Sequence, residues 1–143
     1  MITTITHWTE QKLDQIMDIW FSSNQQAHPF VDPGYWESHR RQVREAIPQS
    51  ELLVWTEGEN IFAFLGLSGN WIAGLFVDAS RRGQGIGHRL IESAKKRHSC
   101  LRLAVYVKNK RAVSFYQREG FSVVEERLDP STGQLEREME WRA

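Results

Sequence analysis

Three glycines alternate with other residues at positions 83, 85 and 87, directly after an apolar run, and this pattern constrains the fold more than any other. The segment Val77–His88 is predicted to be a strand end, a short turn and the start of a helix. Glycines let the backbone approach a ligand closely, and the free N–H groups and positive dipole end of a helix N-terminus favour anions. The segment therefore predicts a phosphate-binding turn, with added positive charge from Arg81, Arg82 and Arg89.

Two familiar nucleotide-binding patterns do not account for this turn. A P-loop has Lys-Ser or Lys-Thr after its last glycine, whereas His88 and Arg89 follow Gly87 here. In a dinucleotide-binding fold the glycines follow the first strand and an acidic residue ends the second, whereas here several strands precede and Lys108 follows the next strand. A ligand carrying a diphosphate explains the three glycines better than a tight turn alone.

The periodicity of apolar residues predicts helices and strands in one mixed domain over residues 1–143. The strand Trp71–Val77 is nearly continuous in apolar residues, so we expect it to be covered on both faces. Helices followed by a meander and a strand-helix-strand unit favour an α+β, mixed α/β fold. The predicted helices are Thr9–Ser23 with Thr9 as N-cap, Tyr35–Ile47, Gly85–Arg97 and Lys110–Glu119, and the other strands are Leu52–Thr56, Ile61–Leu67, Leu101–Val107, Phe121–Arg127 and Gln134–Trp141.

Charge and cysteine content argue against several classes of partner. Eighteen Lys and Arg balance eighteen Asp and Glu, so no overall field attracts nucleic acid or an anionic membrane. The chain has one cysteine, Cys100, no signal-peptide pattern and no apolar run of the ~20 residues that cross a bilayer, so we expect a cytoplasmic protein. The five histidines and Cys100 lack metal-ligand spacing, so no metal is expected.

Two motifs in order resemble those of the GCN5-related N-acetyltransferase (GNAT) superfamily. Arg82-Gly83-Gln84-Gly85-Ile86-Gly87 is similar to the R/Q-x-x-G-x-G/A signature at a helix start. The segment from Asn109 to Phe121 is similar to the family's N-x-x-A-x-x-x-Y-x-x-x-G-F segment. The order of elements fits the family from Met1 to Trp141. The resemblance implies a seven-stranded mixed sheet splayed between strands four and five, flanked by about four helices, with acetyl-CoA in the gap.

The same resemblance implies where the cofactor binds. Strand four would pair its backbone with the pantetheine arm, the glycine turn would hold the pyrophosphate, and Asn109 would contact the cofactor near a helix start. Lys108, Lys110 or Arg111 would meet the ribose 3′-phosphate, although a charged helix start is also commonly just solvated. The predicted cofactor-binding residues are Leu75, Phe76, Val77, Arg82, Gly83, Gln84, Gly85, Ile86, Gly87, His88 and Asn109.

The chemistry of amine acetylation points to further residues. Tyr116 matches the family tyrosine that donates a proton to the CoA sulfur, and a phenol holds its proton at neutral pH. A strand-four N–H, at Val77, is expected to polarise the thioester carbonyl. Many relatives place a glutamate on strand four or five, but strand four has none and strand five offers Ala104. Water or His28 remains as the general base.

The acceptor is expected to meet the first two helices and their connection. The predicted substrate-binding residues are His28, Phe30, Tyr35, Trp36 and Trp71. The His-Pro-Phe and Tyr-Trp pairs are similar to small bacterial acetyltransferases that include protein lysine and peptide acetyltransferases, so a protein lysine or N-terminus is one acceptor. Free amino acids, polyamines and aminoglycosides stay open.

Two other functions are compatible with these motifs. One is a GNAT-type toxin that acetylates aminoacyl-tRNA, which requires a basic face that the balanced charge does not favour. The other is an acyl-CoA sensor without catalysis, which the missing glutamate favours and Tyr116 disfavours. The family resemblance allows a monomer or a homodimer formed through the C-terminal strands.

Overall fold

A computed structural model describes residues 1–143. Seven strands form one sheet, and four α-helices and two short 3₁₀ helices, Ile47–Gln49 and Ala79–Arg81, connect them. The strands are β1 (Ile2–Thr4), β2 (Glu51–Glu57), β3 (Asn60–Ser68), β4 (Trp71–Val77), β5 (Cys100–Tyr106), β6 (Ser122–Asp129) and β7 (Gln134–Arg142). The helices are α1 (Glu10–Ala27), α2 (Pro33–Ala46), α3 (Ile86–Lys95) and α4 (Lys110–Arg118). None of the helices has the length and apolar character needed to span a membrane.

The sheet is mixed and opens in its middle. Its strand order is β1-β2-β3-β4-β5-β7-β6, and only the β4–β5 pair is parallel. These two strands share just the pairs Trp71–Arg102 and Ile72–Leu103, after which they diverge. The seven-stranded sheet splayed between strands four and five, expected from the resemblance, is therefore confirmed.

Helices cover both faces of the sheet and enclose two apolar clusters. Helices α1 and α2 pack Ile16, Trp20 and Trp36 against Val54 and Phe64 of the sheet. Helices α3 and α4 pack their apolar residues on the opposite face, over a cluster that includes Leu90, Ile91, Leu65, Leu103 and Met139. The second cluster contains residues from both sides of the β4–β5 gap, so it joins the two halves of the sheet.

Side-chain caps fix where the helices begin. The Thr9 hydroxyl accepts from the Lys12 N–H at 3.2 Å, which confirms Thr9 as the N-cap of α1. The Asp32 carboxylate accepts from the Gly34 N–H at 2.9 Å, and Pro33 occupies the first position of α2, where its missing N–H costs nothing. Helix α1 continues to Ala27, one turn beyond the predicted Ser23, and thereby carries Asn24 and Ala27 to the gap.

The sequence analysis missed one strand and was wrong about the covering of another. The residue pattern gave no sign of β1, because its three residues become a strand only through pairing with Leu53–Trp55 of β2. Strand β4 is not covered on both faces: most of its residues are partly exposed, because the divergence of β5 leaves them facing the gap.

Candidate active site

The gap between β4 and β5 is a deep cleft with a volume of about 1170 Å³. One end is lined by the glycine turn and by α4, and the other end by the α1–α2 connection. The sheet itself forms the middle, through β4 on one side and Ala104 and Tyr106 of β5 on the other. A ligand in this cleft can thus reach both helical layers of the protein.

The cleft-facing edge of β4 presents unpaired backbone groups. The Asp78 N–H donates to the Phe62 oxygen at 2.7 Å, so this pair is hydrogen-bonded. That bond shows which residues of β4 bond to β3 and which alternate residues face away from it. By that alternation, Phe76 exchanges hydrogen bonds with Phe64, while the N–H and C=O groups of Leu75 and Val77 point toward β5. The Val77 oxygen accepts from Arg82 Nε at 3.3 Å. The N–H groups of Leu75 and Val77 are therefore available to a ligand.

The glycine turn leads directly into free helical amides. Gly83 and Gly85 have φ of +75° and +80°, the left-handed region that glycine adopts without strain. The first helical hydrogen bond of α3 is donated by the Arg89 N–H to the Gly85 oxygen at 3.1 Å. The N–H groups of Ile86, Gly87 and His88 have no protein acceptor, and with the helix dipole they form an anion-binding end.

The cations around this turn are not equivalent. Arg82, Lys110, Arg111 and Arg118 line the cleft. Arg81 also lines it, but its guanidinium makes two hydrogen bonds to Glu57, at 2.9 and 3.1 Å. The prediction that Arg89 adds charge to the turn was wrong, because its guanidinium lies 5.5 Å from the Trp55 ring, outside the cleft.

Tyr116 lies on α4 and lines the cleft, with 8% of the residue exposed. Its ring packs edge-on against Phe115 and Phe121, at centroid distances of 5.2 and 5.7 Å. The hydroxyl makes no hydrogen bond to the protein. Burial raises the pKa of Tyr116, so the phenol keeps its proton well above neutral pH. It is therefore an oriented hydroxyl with no protein partner.

Aromatic side chains surround the other end of the cleft. The His28 ring stacks on Trp36 at 5.3 Å and meets Tyr106 edge-on at 5.1 Å. Phe30 meets Tyr106 at 5.7 Å, and Lys108 Nζ lies 5.7 Å from the Phe30 ring. The walls at this end are flat and apolar, which suits an extended aliphatic chain.

A hydrogen bond joins the two ends of the cleft through His28 and Asn109. Asn109 caps α4, its Oδ1 accepting from the Ala112 N–H at 3.3 Å, so its Nδ2 is the group that donates to His28 Nε2 at 3.2 Å. His28 Nε2 is therefore an acceptor and the ring is neutral. Burial lowers the pKa of His28 to about 4, which agrees with a neutral ring at pH 7.

Most of the predicted site residues come together in this cleft. His28, Phe30, Trp36 and Trp71 line it. Tyr35, which was predicted to bind substrate, does not: its hydroxyl lies 3.2 Å from Ser131 Oγ, and its ring packs on Trp36 and His39. All the predicted cofactor-binding residues line the cleft except Gln84, whose exposed side chain lies outside it.

Among the cleft residues that sequence reasoning missed are Tyr106, Glu119 and Glu136. The Tyr106 hydroxyl donates to Asp129 at 2.8 Å. His88 Nδ1 donates to both Glu119 oxygens, at 2.8 and 3.0 Å, and the nearby Glu92 carboxylate lies 3.5 Å from the Lys95 ammonium. The sequence offered one signal for Glu136: Gln134, Glu136 and Glu138 alternate along the strand, so their side chains share one face of β7.

The sequence of this chain matches a family model and is similar to known peptidyl-lysine N-acetyltransferases. Residues 48–123 match the family model described as an acetyltransferase (GNAT) domain. The chain is 34% identical over 116 residues to the peptidyl-lysine N-acetyltransferase YiaC of Escherichia coli, covering 80% of each chain. It is 31% identical over 124 residues to the peptidyl-lysine N-acetyltransferase YjaB of Escherichia coli, covering 86% of this chain and 84% of YjaB.

Solved structures show the same architecture. The solution structure of apo YjaB from Escherichia coli superposes with a TM-score of 0.85 at 27% identity, covering 99% of this chain and 96% of that one. An aminoglycoside 6′-N-acetyltransferase complexed with coenzyme A superposes with a TM-score of 0.72 at 15% identity, covering 99% and 96% of the two chains. At that identity the second similarity establishes the fold alone.

Proposed function

Because the chain belongs to the GNAT family of acetyltransferases and is an N-acetyltransferase that uses acetyl-CoA, we propose that its acceptor is a lysine side chain of a protein or peptide. One observation carries the choice of acceptor: YiaC and YjaB, both named peptidyl-lysine N-acetyltransferases, align with this chain over at least 80% of its length. We further propose that residues 1–143 act as one catalytic domain.

The chemistry of the acceptor end agrees with a lysine side chain. A lysine has a long aliphatic stem and a single terminal charge, and the stem packs well on flat aromatic surfaces such as Phe30, Trp36 and Tyr106. An acceptor with several amines would require several carboxylates, and only Glu119 and Glu136 line the whole cleft. A lysine therefore fits this end better than a polyamine or an aminoglycoside does.

The residues of the cleft also fit acetyl-CoA. The N–H groups of Ile86, Gly87 and His88, with Arg82 beside them, suit the diphosphate. The unpaired groups of Leu75 and Val77 suit the amide-bearing pantetheine chain. Acetyl-CoA, when bound, supplies a thioester whose carbonyl carbon accepts the amine. We propose that one of the two free β4 N–H groups, with Val77 as the first choice, donates a hydrogen bond to that carbonyl oxygen as negative charge develops on it.

Tyr116 is assigned the role of general acid toward the departing thiolate. Its hydroxyl has no protein partner that competes for the proton, and burial keeps it protonated through its raised pKa. His28 is less suited to the role of base, because its lowered pKa makes it a weak proton acceptor and its Nε2 lone pair is engaged by Asn109. We propose that His28 and Asn109 act mainly to hold the α1–α2 connection against α4.

A panel of acceptors tests the proposed function. Purified protein is incubated with acetyl-CoA and one acceptor at a time, and CoA release is followed by a thiol assay while mass spectrometry locates the acetyl group. The panel contains an N-terminally blocked lysine peptide, the same peptide with acetyl-lysine, a peptide with a free N-terminus, spermidine, kanamycin and an aminoacyl-tRNA.

We expect release with the blocked lysine peptide and none with its acetyl-lysine counterpart. Release confined to the peptide N-terminus, spermidine, kanamycin or aminoacyl-tRNA would contradict a lysine acceptor. Tight binding of acetyl-CoA by calorimetry without release to any acceptor would favour the sensor instead.

A further inference from the structure

The cleft has a carboxylate at its acceptor end that no motif identifies. Glu136 of β7 pairs directly with Tyr106 of β5, and directly opposed residues of antiparallel strands project their side chains to the same face. Tyr106 contacts His28 and Phe30, so Glu136 lies on the side of the sheet that carries the α1–α2 connection. Gln134, two residues earlier on the same face, donates to the Phe30 oxygen at 3.2 Å.

Elimination leaves Glu136 as the proton acceptor of this end. The groups in the cleft that can take a proton are His28, His88, Glu119 and Glu136. His28 is neutral with its lone pair engaged by Asn109. His88 and Glu119 bond each other at the start of α3, beside the anion-binding turn. Glu136 alone combines an acceptor-side position with a carboxylate oxygen that has no hydrogen-bond partner.

The charges around Glu136 favour a cation in the cleft. One oxygen of Glu136 accepts from Arg127 Nε at 3.3 Å, and the other has no hydrogen-bond partner. The same guanidinium also donates hydrogen bonds to Glu125 and Glu138, each at 3.1 Å. A single Arg127 charge thus faces three carboxylates. Arg102 lies 3.6 Å from Glu138 and adds positive charge there, but not at Glu136. The second oxygen of Glu136 is therefore available to an incoming ammonium.

We propose that Glu136 binds the lysine ammonium and serves as the general base of the reaction, an inference that rests on the lysine acceptor proposed above. The Glu136 carboxylate takes one proton from the ammonium, directly or through a water molecule. The amine lone pair then forms a bond to the thioester carbon, and the carbon–sulfur bond breaks. Tyr116 gives its proton to the thiolate and regains one from the new amide nitrogen through water. The products are the acetylated lysine, free CoA thiol and one proton.

Glu136→Gln tests this assignment, with Glu138→Gln as its matched control. Glu138 lies two residues along the same strand, faces the same way and bonds the same Arg127, but it does not line the cleft. Both variants therefore lose one carboxylate from the Arg127 cluster, and only one loses it from the cleft. The measurements are kcat/KM for the blocked lysine peptide from pH 6.5 to 10, acetyl-CoA affinity by calorimetry and the thermal midpoint.

We expect Glu136→Gln to lower kcat/KM about 10²-fold at pH 7.5, because loss of general base catalysis typically costs at least this factor. The variant depends on amine that is already deprotonated in solution, so its kcat/KM should rise about tenfold per pH unit toward pH 10. Glu138→Gln should match the wild type, and both variants should bind acetyl-CoA normally. The charged and titratable groups around Glu136 are Arg127, which it shares with Glu125 and Glu138, and Tyr106, which opposes it on β5. Tyr106 in turn contacts His28 and Asp129, and Lys108 lies over the neighbouring Phe30 ring.

The outcomes separate this inference from the proposed function. A wild-type protein that does not acetylate the lysine peptide refutes the lysine acceptor itself. A wild-type protein that does, with Glu136→Gln and Glu138→Gln equally active or equally impaired, refutes the role of Glu136 alone. A deficit in Glu136→Gln that stays constant with pH also refutes a proton acceptor, because binding of the ammonium would then be all that was lost.

Discussion

Changing Tyr116 to phenylalanine removes one oxygen atom from the cleft and leaves the packing of the ring intact. The ring contacts with Phe115 and Phe121 involve only carbon atoms that phenylalanine keeps. The hydroxyl has no hydrogen bond within the protein, so no buried partner loses its own. We therefore expect the free energy of unfolding to change by no more than about 0.5 kcal/mol.

The expected effect on catalysis is much larger. Without a proton donor the thiolate must leave as an anion, and loss of a general acid typically lowers the rate about 10²- to 10⁴-fold. This corresponds to about 3–5 kcal/mol of transition-state stabilisation. Because burial raises the pKa of Tyr116, the wild-type rate should also show no alkaline decline below about pH 10 from ionisation of this phenol.

Single-turnover acetyl transfer to the lysine peptide measures the chemical step, and calorimetry measures acetyl-CoA affinity. Tyr35→Phe is the matched control, because it removes the same atom from a tyrosine whose hydroxyl contacts Ser131 outside the cleft. A Tyr116→Phe enzyme that transfers acetyl groups as fast as Tyr35→Phe would refute the reasoning. So would a slow Tyr116→Phe enzyme with a clearly lower thermal midpoint, since the loss would then be structural.

Three further predictions follow from the geometry. Gly85→Ala places a Cβ at φ +80° in the anion-binding turn, where the left-handed conformation costs about 1–2 kcal/mol. The variant should bind acetyl-CoA at least tenfold more weakly in calorimetry. The control Gly58→Ala, at φ +64° in the β2–β3 turn, should lose similar stability but bind acetyl-CoA with unchanged affinity. Because the folded state lowers the pKa of His28 to about 4, the unfolded chain binds more protons than the folded one between pH 6.5 and 4. The free energy of unfolding should therefore fall by at most about 3 kcal/mol as the pH drops through that window. In His28→Gln, chemical denaturation should show a free energy of unfolding that changes less with pH. Leu103→Ala, at 2% exposure, should cost about 2–5 kcal/mol in urea unfolding, whereas Leu135→Ala, at 49% exposure, should change it by under about 0.5 kcal/mol.

Local patterns predicted the fold wherever an element contains its own signal. The strand Trp71–Val77 was predicted with the bounds that the structure has, because Asn70 and Asp78 border a continuous apolar run. Strand β1 has no such signal, since Ile2–Thr4 is extended only because β2 offers it a pairing edge. The splay of the sheet came from the family resemblance, because no local pattern reveals where two parallel strands stop pairing.

The candidate site divides in the same way. The glycine turn and Tyr116 lie in contiguous motifs, so the sequence could single them out, and both line the cleft. Glu136 lies 20 positions from Tyr116 on a strand whose acidic residues alternate, and only its pairing with Tyr106 brings it to the cleft. Tyr35 shows the converse, because its neighbour Trp36 reaches the cleft while the helical geometry of α2 directs Tyr35 toward Ser131.

The divergence of β4 and β5 gives the sheet an internal edge. Unpaired backbone groups on the outside of a sheet invite strands from other molecules, and proteins usually shorten or charge their outer strands for that reason. Both devices are present here, since β1 has three residues and β6 carries Glu125, Glu126 and Arg127. The β4 edge instead lines an internal cleft, where β5, α4 and the α1–α2 connection flank it. The enzyme can thus keep a row of peptide donors and acceptors ready for a slender amide-bearing ligand without becoming prone to strand-to-strand aggregation.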